Sequence, residues 1–380
     1  MIEPQSHQIL RDEISARIKT DKYLLDTLRN EILPLRNQVQ RIQPRSATSI
    51  SLVGTDGGNN SLQFDPFLVQ LIRVVDSSNN EYCLQAITPT TDVGKLANIQ
   101  FHSDGSPITA LGEMMSALGV RDLPSLSHMI RPSTEGVPRS PTWVQVYREL
   151  VEWAILLSIL KNKDFGTDTL IVSDGLLRSK VFARDLFKRY LQKVEEFIKD
   201  HYQRNRRRIY IVGVAKHSKV LERYRLAMAI EGVMATNYPA FVEVPRTIEE
   251  KAYVWSEYAR GDDSDYAGTE INKFVGGKMF LVKFGKSPRD PIWPIDIFLP
   301  QRNDAQIIIG HLLADAIDGF PVPLYPRCLQ KAHENAALVD FDLDILQDEI
   351  FEGVRRVLGD DTGILDTFRL QDSDPAQRRY

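Results

Sequence analysis

The chain has 380 residues, of which 43% are hydrophobic and 26% charged, and its formal net charge is −4. This composition predicts a globular protein of one large or two medium domains, and the small negative charge excludes nucleic-acid binding through a strong overall positive field. The two cysteines, Cys83 and Cys328, argue against a disulfide framework. The longest apolar run, 153–157, is too short to span a membrane, and the N-terminal residues lack the character of a signal peptide. These features predict a cytoplasmic protein.

Residues 7–43 predict a helical arm. Its apolar positions recur at steps of seven, three and four, which matches the a/d seam of a coiled coil. The seam residues are Ile18, Leu25, Leu28, Ile32, Leu35, Val39 and Ile42. Pro34 interrupts the pattern, so we expect a kink or two helices there. The seam fits a helix packed on its own domain, and it also fits a surface for dimerisation or for a partner.

Strands are predicted over roughly 47–90. The first run, 49–56, is rich in β-formers and ends at Asp56, which two glycines follow. Two further runs flank the sequence DSSNNE at 76–81, which is typical of a hairpin turn. Residues 90–142 are rich in Pro, Ser, Thr and Gly, which predicts an irregular insertion or a functional flap with one short helix near 110–118.

Helices and strands alternate in the middle of the chain. The segment 142–163 is apolar on most of its circumference and predicts a buried helix. A strand that ends at Asp174 follows, then a helix over 179–202, a strand over 208–216 and a helix over 218–235. The last predicted elements are three strands and two helices, at 240–244, 279–284, 295–299, 304–317 and 329–338.

The order of the middle elements is β-β-β-α-β-α-β. This order is typical of an α/β protein with an RNase H-like mixed β-sheet flanked by helices, here with an N-terminal arm and insertions. In that arrangement the first and fourth strands lie side by side at the centre of the sheet, so Asp56 and Asp174 converge although they are distant in sequence. Two carboxylates held together repel each other unless a cation lies between them.

Carboxylate oxygens of this kind suit Mn²⁺ or Mg²⁺. Two such ions about 4 Å apart serve many nucleases, and a third carboxylate is normally needed. Glu149 and Glu152 lie three residues apart on the buried helix and therefore share a face. A charge on so apolar a helix needs a partner. Glu152 is the favoured third ligand, and Glu149 is the alternative.

Five segments in order resemble the NurA family of nucleases over about 50–340: VGTDGG, RELVEWA, IVSDGLLRS, VGVAKHSK and GFPVPLYPRCLQKAHENAAL. The resemblance implies a manganese-dependent DNA nuclease that works beside a hexameric translocating ATPase of the HerA type. It also implies metal ligands at Asp56, Glu152 or Glu149, and Asp174, and a catalytic histidine at His333.

The last of these segments departs from the family pattern, because Phe320 stands where a tyrosine is usual. Tyr325 is the candidate substitute. Taken alone, His333 is typical of a surface or capping residue, but within the resemblance its imidazole could orient water or protonate a leaving oxygen. Lys216 fits either a contact to the scissile phosphate or a solvated strand end, and His217 is expected to be a cap or exposed.

The basic run at 204–208 fits a solvated loop, and it also fits a contact to a DNA backbone. The resemblance to NurA implies a metal-dependent DNA nuclease, a 5′–3′ exonuclease or an endonuclease, that resects DNA from a 5′ end in repair or in defence against foreign DNA. The alternative is a non-catalytic DNA-binding or adaptor subunit of a translocase complex. The expected division is an arm at 1–45 that supports a homodimer, a nuclease domain at 46–345, and a helix with a polar tail at 346–380.

Overall fold

The computed structural model describes residues 3–45, 51–64, 67–131, 142–253, 273–337 and 340–358, and for 4–5, 51–64, 67–68, 340–344 and 346–347 it describes the backbone alone. Strands in these residues are β1 Gln40–Arg41, β2 Ser51–Phe64, β3 Phe67–Asp76, β4 Glu81–Ile87, β5 Thr169–Asp174, β6 Ile209–Val214, β7 Ala240–Glu243, β8 Gly277–Lys283 and β9 Trp293–Phe298. Helices are α1 Pro4–Thr20, α2 Lys22–Ile32, α3 Val93–Asn98, α4 Ala110–Leu118, α5 Leu123–Leu126, α6 Thr142–Asn162, α7 Leu186–Asn205, α8 Lys219–Glu231, α9 Arg246–Ala252, α10 Ala305–Ile317, α11 Arg327–Ala336 and α12 Asp340–Leu358.

The strands form one mixed sheet in the order β1-β7-β8-β9-β6-β5-β2-β3-β4. The three central strands β2, β5 and β6 run parallel, and the pairings on either side of them are antiparallel. Parallel neighbours need long crossovers, and α6 and α7 are parts of the two that connect these strands. The sheet is therefore the RNase H-like one that the element order predicts, with the first and fourth strands of that order side by side.

Apolar side chains cover both faces of the sheet. On one face, Ile171 and Ile211 pack with residues of α4, α6 and α7, and farther along the sheet Met279 and Leu281 pack with α2 and α8. On the other face, Val172 and neighbouring strand residues pack with α10 and α11. This two-sided burial explains why the central strands read as nearly continuous apolar runs. Within the described residues, no helix is long and apolar enough to cross a membrane.

The first strand does not end at Asp56 as predicted. β2 continues to Phe64 and pairs with β3 from Thr55, opposite Asp76, to Phe64, opposite Phe67. Glycine and asparagine are poor strand formers, but an antiparallel neighbour supplies hydrogen bonds to the backbone whatever the side chain. The prediction was wrong because the pairing with β3 outweighs the weak local preference.

The helix predicted over 179–202 begins only at Leu186. Arg184, two residues earlier, has a φ of 53°, in the left-handed region that helical residues do not occupy. Arg178 makes hydrogen bonds from this stretch to Asp296 of β9, so its side chain is anchored to the sheet. These tertiary contacts hold residues 175–185 as a loop.

The stretch 90–142 is also more regular than predicted. It contains α3, α4 and α5, and the side chains of Asp92, Thr109 and Asp122 cap their first turns. Buried residues such as Leu111 and Met115 pack in the same cluster as α6. Up to residue 131 the stretch is a helical layer on the sheet, and 132–141 lie outside the described residues.

The arm divides into two parts with different surroundings. The α-helix gives way to a 3₁₀ helix at Leu33, so the predicted break at Pro34 is confirmed, and a second break falls at Asp21. Ile32 and Leu35 are buried against α8 and β7, whereas Ile18 on α1 is 66% exposed. The seam from Leu28 onward therefore packs on its own domain, and Ile18 does not.

Candidate acidic site

A cleft of about 640 Å³ opens where β5 and β6 end. Its charged lining comes from α6, from the loop after β5 and from the residues after β6. These side chains are Arg148, Glu149, Glu152, Asp174, Arg178, Lys180 and His217. The carboxyl ends of parallel strands are the usual place for a binding crevice in an open α/β sheet. The cleft is therefore the first candidate for a functional site.

The register of β2 and β5 brings position 56 to this end of the sheet. The two strands are parallel, and their last paired residues are Thr55 and Ser173. Asp56 and Asp174 are the next residues on each strand, so their backbones lie at neighbouring positions. The side chain of Asp56 lies outside the described residues.

Asp174 is the last residue of β5, and a tight turn follows it. Gly175 has a φ of 106°, a conformation that side chains rarely adopt, and its N–H donates to Val214 O at 2.8 Å. A Cβ on Gly213 would stand 2.3 Å from Gly175 O, so the turn crosses closely over β6. The Asp-Gly pair at 174–175 thus marks a turn directly after Asp174, which lines the cleft.

Tyr325 contacts Asp174 from the other face of the sheet. Its hydroxyl donates a 3.3 Å hydrogen bond to Asp174 Oδ1, and its side chain is 2% exposed. The indole of Trp293 packs edge-on against the Tyr325 ring, with 4.9 Å between the ring centroids. A buried phenol held in this way fixes the orientation of the carboxylate.

Glu149 lies across the cleft on α6 and is oriented by neutral donors. Ser179 Oγ donates to Glu149 Oε1 at 2.6 Å, and Trp153 Nε1 donates to the same oxygen at 3.4 Å. Burial raises the pKa of Glu149, and these hydrogen bonds and the nearby cations only partly oppose it. The Glu149 carboxylate thus stands in a costly environment, which a bound cation would relieve.

Glu152 stands one turn further along α6. Its Oε1 is 3.5 Å from Arg148 Nε, and both side chains are 32% exposed. Glu149 and Glu152 therefore both face the cleft, as the shared helix face predicted, with different partners.

Among the described residues, Lys216 and His333 do not line the cleft. Lys216 is exposed after β6, and its Nζ is 5.7 Å from the centroid of the Tyr325 ring. His333 is exposed on α11. Asn335 on the same helix donates to the backbone carbonyl of Asp76 at 3.1 Å, and Asp76 is the β3 residue opposite Thr55. Lys216 and the helix that carries His333 are thus at the end of the sheet that holds Asp174.

Sequence reasoning missed a buried ionic cluster behind the cleft. Arg178 donates to both carboxylate oxygens of Asp296, at 2.8 and 3.0 Å, and its Nη1 is 2.9 Å from Glu249 Oε2. Asp296 is fully buried in β9 between apolar neighbours, which is the signal that could have revealed it. This cluster anchors the loop that runs from Asp174 to Ser179. The loop in turn connects Asp174 at the end of β5 with Glu149 on α6, to which Ser179 donates a hydrogen bond.

Sequence reasoning also gave His217 no role in the site and did not single out Ser179. His217 is exposed, as expected, but it lines the cleft.

The basic run at 204–208 precedes β6, so it lies at the opposite end of that strand from the cleft. Among the described residues, no group of three His, Cys, Asp or Glu side chains is arranged to hold a metal ion.

These features define an α/β protein with an RNase H-like sheet and an acidic cleft at the ends of its central strands. Comparison with protein-family models and with curated proteins finds no match to the sequence.

Solved structures similar to the chain are NurA proteins. The NurA nuclease from Sulfolobus solfataricus is 12% identical, with 94% of this chain and 98% of that chain covered and a TM-score of 0.45. A NurA with manganese is 10% identical, with 90% and 98% covered and a TM-score of 0.40. A NurA bound to dAMP and manganese is 9% identical, with 89% and 94% covered and a TM-score of 0.37.

Proposed function

We propose that the chain is a metal-dependent deoxyribonuclease. The observation that carries the proposal is the convergence of acidic residues on one cleft. Asp174 ends β5 beside position 56 of β2, and Glu149 and Glu152 face it from α6. Carboxylate oxygens without cysteine or several histidines suit Mn²⁺ or Mg²⁺ better than softer metals.

Asp56, Asp174 and Glu152, or Glu149 in its place, would hold the ion. When bound, a divalent ion supplies an activated water and stabilises negative charge on the phosphate that is attacked. The chain's own residues orient these ligands, because Tyr325 holds Asp174 and Ser179 holds Glu149.

Cations at the same end of the sheet suit a phosphate backbone. Arg148 and Lys180 line the cleft, and Lys216 stands beside Tyr325. Their positive charge offsets the repulsion between the acidic wall and a polyanionic strand. In this proposal His333 donates the proton that the leaving oxygen needs.

The remaining expectations extend the same proposal. The nuclease would resect from a 5′ end beside a HerA-type hexameric ATPase, in repair or in defence against foreign DNA, as the resemblance to NurA implies. A homodimer would form through α1, whose apolar residues Leu10, Ile14 and Ile18 recur every four residues and are 44–66% exposed. The arm, a nuclease domain at 46–345 and the C-terminal segment remain the proposed division of the chain.

Cleavage of linear DNA with Mn²⁺ tests the proposal. The wild-type chain should cut, and Asp56→Ala and Asp174→Asn should reduce the rate by at least a hundredfold, because each removes one ligand charge. Asp164→Asn is the matched control, since Asp164 is exposed before β5, at the end of the strand away from the cleft.

Equal cleavage by wild type and Asp56→Ala would contradict the proposed site. If the wild-type chain cuts nothing, alone or with a hexameric translocase supplied, the chain is a non-catalytic DNA-binding or adaptor subunit instead.

A further inference from the structure

The loop between α10 and α11 displays an aromatic side chain in water. Phe320 is 82% exposed, and its neighbours Ile317 and Val322 are 58% and 42% exposed. Single exposed apolar residues are common on protein surfaces. This loop differs from an ordinary exposed site in two respects: hydrogen bonds hold it in place, and it leads to the acidic site.

Gln330 on α11 fixes the loop with three hydrogen bonds. Val322 N donates to Gln330 Oε1 at 2.7 Å, and Gln330 Nε2 donates to the carbonyl oxygens of Val322 and Tyr325, both at 2.9 Å. A Cβ on Gly319 would stand 2.3 Å from Tyr325 O, so the chain folds back on itself here. Phe320 is thus exposed on a rigid loop.

The same loop leads directly into the acidic site. Trp293 Nε1 donates to Leu324 O at 2.6 Å, and the next residue, Tyr325, donates to Asp174. Tyr325 is the fifth residue after Phe320, so their Cα atoms lie within about 18 Å of each other. That distance corresponds to only a few nucleotides of an extended strand.

Exposed cations lie on the elements next to this loop. Arg327 and Lys331 are exposed on α11 on either side of Gln330, which holds the loop. Lys216 stands over the ring of Tyr325. An exposed aromatic ring beside several cations is the combination by which proteins bind single-stranded nucleic acid, with bases stacked on the ring and phosphates near the charges.

We propose that Phe320 stacks against a nucleobase of a single DNA strand whose phosphates pass Arg327, Lys331 and Lys216 toward the cleft. The inference rests on the proposed nuclease function and adds to it a binding position and a strand preference. A single strand is favoured because bases inside a duplex already stack on one another and offer no free face. The contact would position the strand, and Phe320 would take no part in the chemistry.

Fluorescence anisotropy with the full chain in EDTA tests the contact without cleavage. The probes are a labelled 20-nucleotide thymidine strand and an abasic strand with the same number of phosphates. Phe320→Ala should weaken binding of the thymidine strand about tenfold and leave the abasic strand unchanged. Phe320→Trp should retain binding of both strands. Lys331→Ala should weaken both strands and lower the salt dependence of binding.

Ile108→Ala is the matched control, since Ile108 is 52% exposed just before α4, which packs on the opposite face of the sheet from α10 and α11. Thermal melting should be the same for wild type and Phe320→Ala, because the ring packs little in the folded chain. If the wild type binds and cuts DNA while Phe320→Ala binds both strands equally well, the stacking contact is wrong and the nuclease stands. If the wild type neither binds nor cuts DNA, the nuclease proposal is wrong, and the stacking contact that rests on it is wrong as well.

Discussion

At the scale of single residues, the cleft depends on hydrogen bonds that aim its carboxylates. Tyr325 reaches Asp174 through the end of the sheet, and Ser179 reaches Glu149 across the cleft. Both donors are neutral, so they orient a carboxylate without cancelling its charge. Such outer contacts commonly change metal affinity or activity by ten- to a hundredfold when they are lost.

Tyr325→Phe tests this at Asp174. The substitution removes one hydroxyl and keeps the buried ring, so the fold should persist while DNA cleavage with Mn²⁺ falls at least tenfold. Initial cleavage rates over a Mn²⁺ titration would measure it. Tyr147→Phe is the control. The Tyr147 hydroxyl donates a 2.9 Å hydrogen bond to Gln85 and not to Asp174. An unchanged rate in Tyr325→Phe would show that the contact has no role in the site.

Glu152→Gln and Glu149→Gln form a second test at this scale. Glu149 already accepts from Ser179 and Trp153, whereas Glu152 is 32% exposed to the cleft and its Oε1 lies 3.5 Å from Arg148 Nε. We expect Glu152→Gln to weaken Mn²⁺ binding by about ten- to a hundredfold and Glu149→Gln to weaken it less. Calorimetric titration with Mn²⁺ gives both constants, and the reverse order would make Glu149 the ligand.

At the scale of elements, the β3–β4 hairpin is held by one aspartate. Asp76 is 1% exposed and accepts hydrogen bonds from the backbone N–H groups of Ser78 and Asn80, from Asn80 Nδ2 and from the Tyr82 hydroxyl. Burial alone would raise the pKa of Asp76, but these hydrogen bonds outweigh it, and the pKa is lowered. The ionised carboxylate therefore stabilises the hairpin that pairs with β2.

Asp76→Asn should lower the free energy of unfolding by about 2 kcal/mol at pH 7, because hydrogen bonds to a charged acceptor are lost. Since the folded pKa lies below the unfolded value of about 4, this contribution is complete above that value. It is lost as the pH falls through the folded pKa. Urea unfolding of both proteins between pH 7 and pH 3 measures the difference. A difference that stays constant to low pH would contradict the role of the charge.

At the scale of the whole molecule, the arm joins a packed segment to an unpacked one. The described side chains of α1 are all exposed, whereas Ile32, Leu35 and Ile42 belong to the core. Removing the entire arm would therefore uncover the domain, and a test of dimerisation has to spare these residues.

Deletion of residues 1–20 should halve the mass measured by light scattering and leave the unfolding midpoint of the monomer nearly unchanged. The full-length variant Ile14→Glu places a charge in the same apolar stripe and should have the same effect on mass. An unchanged mass in both proteins would show that α1 does not hold two subunits together.

Local signals in the sequence determined several features of this protein. The alternation of elements, the buried helix α6 and the strand end at Asp174 follow from hydrophobic periodicity and from an Asp-Gly turn, which depend on neighbours in the chain. The pairing of the strands that carry Asp56 and Asp174 also follows from the element order.

Only the tertiary structure decided that β2 continues to Phe64, that residues 175–185 form a loop, and that Tyr325 and Ser179 hold the carboxylates. The loop and the two hydrogen bonds depend on contacts between segments far apart in the chain, and the extension of β2 depends on its pairing with the next strand, β3. The energy of such a contact exceeds the small local preferences that a sequence pattern reports, and the pattern does not contain the partner.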